Sequence, residues 1–301
     1  MVRCRMSEGR KPWWLWPNLL SLDAPLVAVA WLYMFARAWQ VNYLEWEAYA
    51  ALGLGVWAIY VCDRLIDLRI RDASDPALAS RHEFHARHRS LFLVGVILAI
   101  AAVLWFVFKT LPVELLMSYS WPAVTLVAAF FVLVIGRGAS GEVPYFRNAV
   151  AGLAFAYGTA MMAHTRVPSQ GMWSMALSRE MIAFAVLCVL NITAIHLWEH
   201  SRRSDDPEVK AADEMSLTLP LTLLAGSALV FAYFDNPGMF GRGMGSDSLP
   251  ARPFFYAILI SAALLQILNR TRRRFSLDSL RVLADAALVA PLPLFFILAR
   301  G

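Results

Sequence analysis

Nine long apolar runs, divided by short polar connections, leave this chain little choice of fold class; their approximate limits are 20–40, 47–66, 91–108, 113–135, 147–163, 180–198, 217–234, 253–268 and 281–299. Each reads as a helix able to cross a bilayer, whose hydrocarbon core of about 30 Å takes roughly 20 apolar residues in α-helical form. No other open structure satisfies its backbone groups there. The composition agrees: of 301 residues, 59% are hydrophobic and 16% charged, outside the range of a water-soluble domain. The expectation is an all-α polytopic membrane bundle of about nine transmembrane helices, occupying 1–301 as a single integral domain. Trp13, Trp14 and Trp16 ahead of the first run suit an interfacial belt, and Pro25 suits the first turn of a helix.

Charge sets the expected orientation. The net charge of +5 comes from arginines clustered between spans, which points to topology rather than nucleic-acid binding. Arg3, Arg5, Arg10 and Lys11 agree in sign with the groups after the second, sixth and eighth runs, such as Arg69 with Arg71, Arg202 with Arg203, and Arg272 to Arg274. The N-terminus is therefore expected in the cytoplasm and the C-terminus outside, in a membrane of the bacterial inner (plasma) type. The apolar region after the basic start is too long for a removed signal peptide and lacks a small-residue cleavage site. Cys4, Cys62 and Cys188 are odd in number and lack metal-ligand spacing, so they read as small core residues.

Against this apolar background a few polar residues stand out. Asp63 and Asp67 end the second run four residues apart, so a continuing helix stacks them on one face, close enough to share a cation. Carboxylates at such depth mark a site or a paired charge; the plainer alternative is local pairing with Arg64, Arg69 and Arg71 at a solvated helix end. The sixth run ends in Asn191-Ile-Thr-Ala-Ile-His196-Leu-Trp198-Glu199-His200, with Arg203, Asp205 and Asp206 beyond. Asn191 and Glu199 lie two turns apart on nearly the same face and are able to line one cavity. Alternatively, Asn191 makes an interhelical hydrogen bond and Glu199 pairs with Arg203 at i,i+4. Asp285 in the ninth run needs a partner, and Arg281 is the nearest in sequence.

These residues resemble a known family, the UbiA-type intramembrane prenyltransferases, in a divergent form. The resemblance covers most of the chain: nine helices, one Asp-rich motif at the end of the second and another at the end of the sixth. Asp63 and Asp67 match the first motif, whose Asn and leading Asp are replaced by Ile59 and Tyr60. Leu22-Asp23-Ala24-Pro25 is similar to the family's first-helix signature, with Ser21 and Ala24 at its two basic positions. The second motif is thinned to Glu199.

The resemblance implies transfer of a prenyl group from a prenyl diphosphate to an aromatic or other lipophilic acceptor. It implies Mg2+ held by Asp63, Asp67 and Glu199, which would also be the catalytic carboxylates. Arg64, Arg81, His82, Asn191, Arg203 and Tyr60 would bind substrate. Magnesium bridging the phosphates neutralises the leaving group as the carbon–oxygen bond breaks. Basic residues such as Arg81 and His82 suit phosphate oxygens, although a loop beside a membrane is basic for topological reasons too. The aromatic faces of Trp57, Tyr60, Tyr157 and Trp198 are candidates to stabilise an allylic cation.

Two alternatives stand beside this reading. A bundle that kept its shape and lost its phosphate chemistry would bind or transport a lipid or quinone without catalysis. His196-Leu-Trp-Glu199-His200 also fits the H-x-x-E-H pattern of zinc enzymes, with His82, His85 and His88 as further ligands. Six histidines are too few for a histidine-iron hydroxylase.

Overall fold

The computed structural model describes residues 13–70, 84, 87–136, 143–167, 171–234 and 252–299, with the backbone alone at 13 and 67–70. Among them are helices and no strand. After short turns at Trp13–Leu15 and Trp16–Leu19, the main elements are α1 (Asp23–Ala38), α2 (Trp46–Ile70), α3 (Arg89–Thr110), α4 (Val113–Ile135) and α5 (Tyr145–His164). They continue with α6 (Arg179–Arg203), α7 (Pro207–Phe234), α8 (Arg252–Thr271), α9 (Leu277–Val289) and α10 (Leu292–Leu298). Ser178 and Ser276 cap α6 and α9, each hydroxyl accepting the N–H three residues on.

Each expected run is found as a helix, the ninth broken into α9 and α10 at Ala290 and Pro291. Among the described residues seven segments are long and apolar enough to cross a membrane, which makes the chain a helical integral membrane protein; α1 and α5 fall outside that class. With 16 residues, α1 is about 24 Å long, short of the bilayer core. α5 mixes Arg147, Asn148, Thr159 and His164 into its length, and the last three are buried.

The burial pattern separates inner from outer helices. α3 and α4 bury few of their apolar side chains and expose many, including Ile97, Trp105, Met117 and Val124, as helices facing acyl chains do. α6 is the reverse, two thirds buried along its most apolar window (67%). The core lies where α1, α6 and α8 meet: Trp31 stacks on Phe184 at 4.4 Å between ring centres and meets Phe254 edge-on. Its indole N–H donates to the Leu288 carbonyl of α9 at 3.0 Å. At the far end of the bundle, Glu47 binds Lys109 and Glu45 binds Arg166.

One expected pair is corrected. Arg281 does not serve Asp285. Its guanidinium holds Glu199 of α6 and Asp278, one turn before it, while Asp285 turns the other way, to Asn191 and Asp23. Residues 281 and 285 share a helix face by spacing, but Arg281 lies near the start of α9, where the end of α6 passes, and the longer side chain follows that neighbour.

Candidate functional site

The polar centre of the bundle begins at the entry to α1. Ser21, fully buried, takes a left-handed backbone conformation (φ 59°) that turns the chain into the helix; a non-glycine residue held there stores about 1–3 kcal/mol of strain. Arg64 of α2 secures the turn. Its Nη1 donates to the Asn18 carbonyl and to Ser21 Oγ, both at 2.6 Å, and its Nη2 lies 4.0 Å from Asp23 Oδ1. Asn18 Nδ2 donates to the other Asp23 oxygen at 2.5 Å. Arg64 is thus a buried clamp between α2 and the start of α1, 4% exposed.

From Asp23 the network passes inward. The Asp285 carboxyl lies within hydrogen-bonding reach of Asp23 and accepts from Asn191 Nδ2 at 3.2 Å. Asn191 Oδ1 is buried and accepts no hydrogen bond from the described residues. Asn191, Asp285 and Tyr60 line a cavity of about 20 Å3 between α1, α2, α5, α6 and α9, lined otherwise by side chains that include the apolar Val27, Phe155 and Leu288. That volume is room for about one water molecule. Tyr60 lies in the field of Asp23, Asp63, Asp285 and Arg64.

The expected site residues divide into three groups. Tyr60 and Asn191 come together at the cavity, while Arg64 and Asp63, the latter partly buried one turn beyond Tyr60, lie close enough to act on Tyr60 without lining it. Glu199 lies apart from the cavity lining and is engaged by Arg281, Nη2 to Oε1 2.6 Å and Nε to Oε1 3.2 Å. Arg203 is exposed at the last residue of α6. The Asp67 side chain, Arg81 and His82 lie outside the described residues. Of the aromatic candidates only Tyr60 lines the cavity: Trp57 donates to the Leu20 carbonyl, Tyr157 to the Tyr119 carbonyl, and Trp198 to Asn269 Oδ1.

The H-x-x-E-H pattern is taken apart by its neighbours. His196 Nδ1 lies 3.0 Å from the Ile192 carbonyl and Nε2 lies 2.8 Å from Arg147 Nη2, so the neutral ring donates at one nitrogen and accepts at the other. His200 Nδ1 meets Asp213 at 2.9 Å, and Glu199 belongs to Arg281. Among the described residues no three His, Cys, Asp or Glu side chains gather around a point where one metal ion would sit.

Sequence reasoning missed the reach of Asp23 and the true partners of Asp285. A carboxylate in the first turn of a helix is ordinary, because it complements the helix dipole, so Asp23 carried no signal beyond its place in the first-helix motif. The signal for Asp285 was its isolation in an apolar run with Asn191 as the one amide in the matching part of α6. Comparison of the chain with protein-family models, with curated proteins and with solved structures finds no match.

Proposed function

We propose that this protein is a divergent UbiA-like prenyltransferase, moving a prenyl group from a prenyl diphosphate to a lipophilic acceptor, with the Asp23–Asp63–Asn191 end of the bundle facing the cytoplasm. The observation that carries the reading is that Tyr60 of α2, Asn191 of α6 and Asp285 of α9 line one cavity inside the bundle, with the charges of Asp63 and Arg64 acting on Tyr60. Polar groups at this depth are expensive, and a site is the default explanation for them.

The metal that this reading calls for is one magnesium ion. Asp63 and Asp67, one turn apart on α2, would hold it, and when bound it supplies charge neutralisation for the departing diphosphate. Glu199 does not fit as a further ligand, because its carboxylate is bound by Arg281. The remaining work falls to the chain: Arg64 fixes the entry of α1 against α2, Tyr60 and Phe155 offer ring surface to the cavity, and the apolar lining keeps water scarce. Membrane lipid surrounds the acceptor's route, since α3 and α4 are apolar on their outer faces.

The second reading, a bundle that binds or carries a lipid or quinone without catalysis, is favoured by the Glu199–Arg281 pair and the narrow cavity. Thermal unfolding of the purified protein with farnesyl and geranylgeranyl diphosphates separates the two, because a ligand specific to the folded state raises the melting temperature. A magnesium-dependent rise, lost in Asp63→Asn and Asp67→Asn, supports transfer chemistry. No rise with either diphosphate in a folded sample leaves the lipid-binding reading.

A further inference from the structure

The end of α8 carries more positive charge than the described carboxylates around it balance. Arginine stands at 270 and at 272 to 274, and the four side chains divide into two kinds. Arg272 is buried and engaged on all sides: it pairs with Glu214, donates to the Asn269 carbonyl and reaches the Lys210 carbonyl at 3.1 Å. Arg202 of α6 donates to the carbonyls of Arg272 and Phe275. The turn that joins α8 to α9 is thereby pinned to α6 and α7. Arg270, Arg273 and Arg274 are exposed instead, and their side chains have no ion pair or hydrogen bond with any described residue.

The neighbouring carboxylates are occupied elsewhere. Glu214 belongs to Arg272, Asp213 to His200, and Glu199 and Asp278 to Arg281. Asp205, Asp206 and Glu208 are exposed along the α6–α7 connection, beside Arg203 in sequence, so Arg203 is left out of the cluster. Position then says what meets the other three. α8 and the turn form one apolar stretch long enough to cross a membrane, Arg252–Arg274, which puts the arginines where hydrocarbon gives way to headgroups. Ala263, Ile267 and Arg270 follow at four- and three-residue spacing down one exposed face of α8. That face is apolar and then cationic, and Phe275, 36% exposed, adds apolar surface at the turn.

We propose that Arg270, Arg273 and Arg274 bind the headgroup of an anionic phospholipid, with one acyl chain lying along the Ala263–Ile267 face of α8. A soluble anion would use the charge alone; a phospholipid uses the charge and the apolar face together. Guanidinium groups match phosphate oxygens in bidentate geometry, and a turn already held by Arg202 and Arg272 loses little freedom when lipid arrives. Each arginine near an anionic membrane surface strengthens attraction about fivefold, so three give roughly a hundredfold preference over zwitterionic lipid. The site is separate from the polar centre at Asn191 and stands whether or not the chain transfers prenyl groups.

The test is thermal unfolding of the full chain in nonionic detergent at fixed ionic strength, titrated with dioleoylphosphatidylglycerol or dioleoylphosphatidylcholine. The expected result is a saturating rise in melting temperature whose midpoint for phosphatidylglycerol lies roughly a hundredfold below that for phosphatidylcholine. Inorganic phosphate and glycerol phosphate should give no rise. Arg270→Gln, Arg273→Gln and Arg274→Gln together should abolish the preference, and the same number of exposed arginines removed elsewhere, Arg37→Gln, Arg89→Gln and Arg203→Gln, should leave it. Native mass spectrometry of the wild-type protein in an equimolar mixture of the two lipids reads the same preference without a variant. Equal midpoints for the two lipids, equal losses in the two triple variants, or a rise reproduced by inorganic phosphate would overturn the proposal. The first two results assign the arginines to topology or diffuse surface charge, and the third makes the ligand a soluble anion.

Discussion

Arg281 of α9 and Glu199 of α6 form an ion pair, with Nη2 2.6 Å from Oε1 and both side chains largely withdrawn from solvent, 9% and 15% exposed. A buried pair contributes little against an apolar pair of similar volume, but removing one partner strands the other and costs about 3–5 kcal/mol. Arg281→Met should therefore lower the melting temperature sharply, whereas Glu199→Leu with Arg281→Met should recover most of the loss. Additive losses in the double variant, measured by thermal unfolding, would show that the two residues act independently.

The clamp at Arg64 makes a second expectation. Its fork reaches the Asn18 carbonyl and Ser21 Oγ from one nitrogen while facing Asp23 with the other. Lysine brings the charge but not the planar fork. Arg64→Lys should retain the fold and loosen the α1 entry, seen as faster amide exchange at residues 18–22. Exchange equal to wild type would refute the clamp.

How much of this was legible in the sequence depends on the range of the interaction. Segment positions followed from apolar run length, a local property, and the helices lie where those runs lie. Asp63 and Asn191 stood out because a polar residue in an apolar run is a one-dimensional signal. Partnership was another matter. Asp285 was paired with Arg281 by their spacing, but Arg281 reaches across to Glu199, and Asp285 reaches to Asn191, 94 positions away. Which helices touch is a property of the bundle, and no spacing rule along one helix contains it. The ring of α1, α2, α5, α6 and α9 around one cavity was hidden for the same reason.

Asn269, buried on α8, gathers three elements. Its Oδ1 accepts from the Trp198 indole of α6 at 3.0 Å, and its Nδ2 donates to the Glu214 carbonyl and Thr218 Oγ1 of α7, each at 3.2 Å. Single hydrogen bonds between membrane helices average about 0.6 kcal/mol, and the best reach about 1.7. Three such bonds between helices, with Arg272 Nη1 donating a fourth to Oδ1 at 3.3 Å, should make Asn269→Leu cost about 2 kcal/mol, while Asn269→Gln, which keeps the groups but shifts them, should lose less. Unfolding in graded denaturing detergent reads the order; equal losses would mean that packing volume, not bonding, sets the effect.

α5 and α6 meet backbone to backbone at Gly152. A methyl group built there would lie 2.6 Å from the Val189 backbone nitrogen and 2.8 Å from its Cα; backbone cannot swing aside as a side-chain tip does. Small residues at such crossings let membrane helices approach closely. Gly158, on the same helix, has nothing within 4 Å of the equivalent point. Gly152→Ala should force the helices apart and cost about 1–3 kcal/mol. Gly158→Ala should be neutral or stabilise by up to about 1 kcal/mol, because alanine is the better helix former. The pair supplies its own control, since both substitutions change propensity equally and one of them alone meets backbone. Melting temperatures that move together in the two variants would remove the close approach of α5 and α6 as the reason for glycine at position 152.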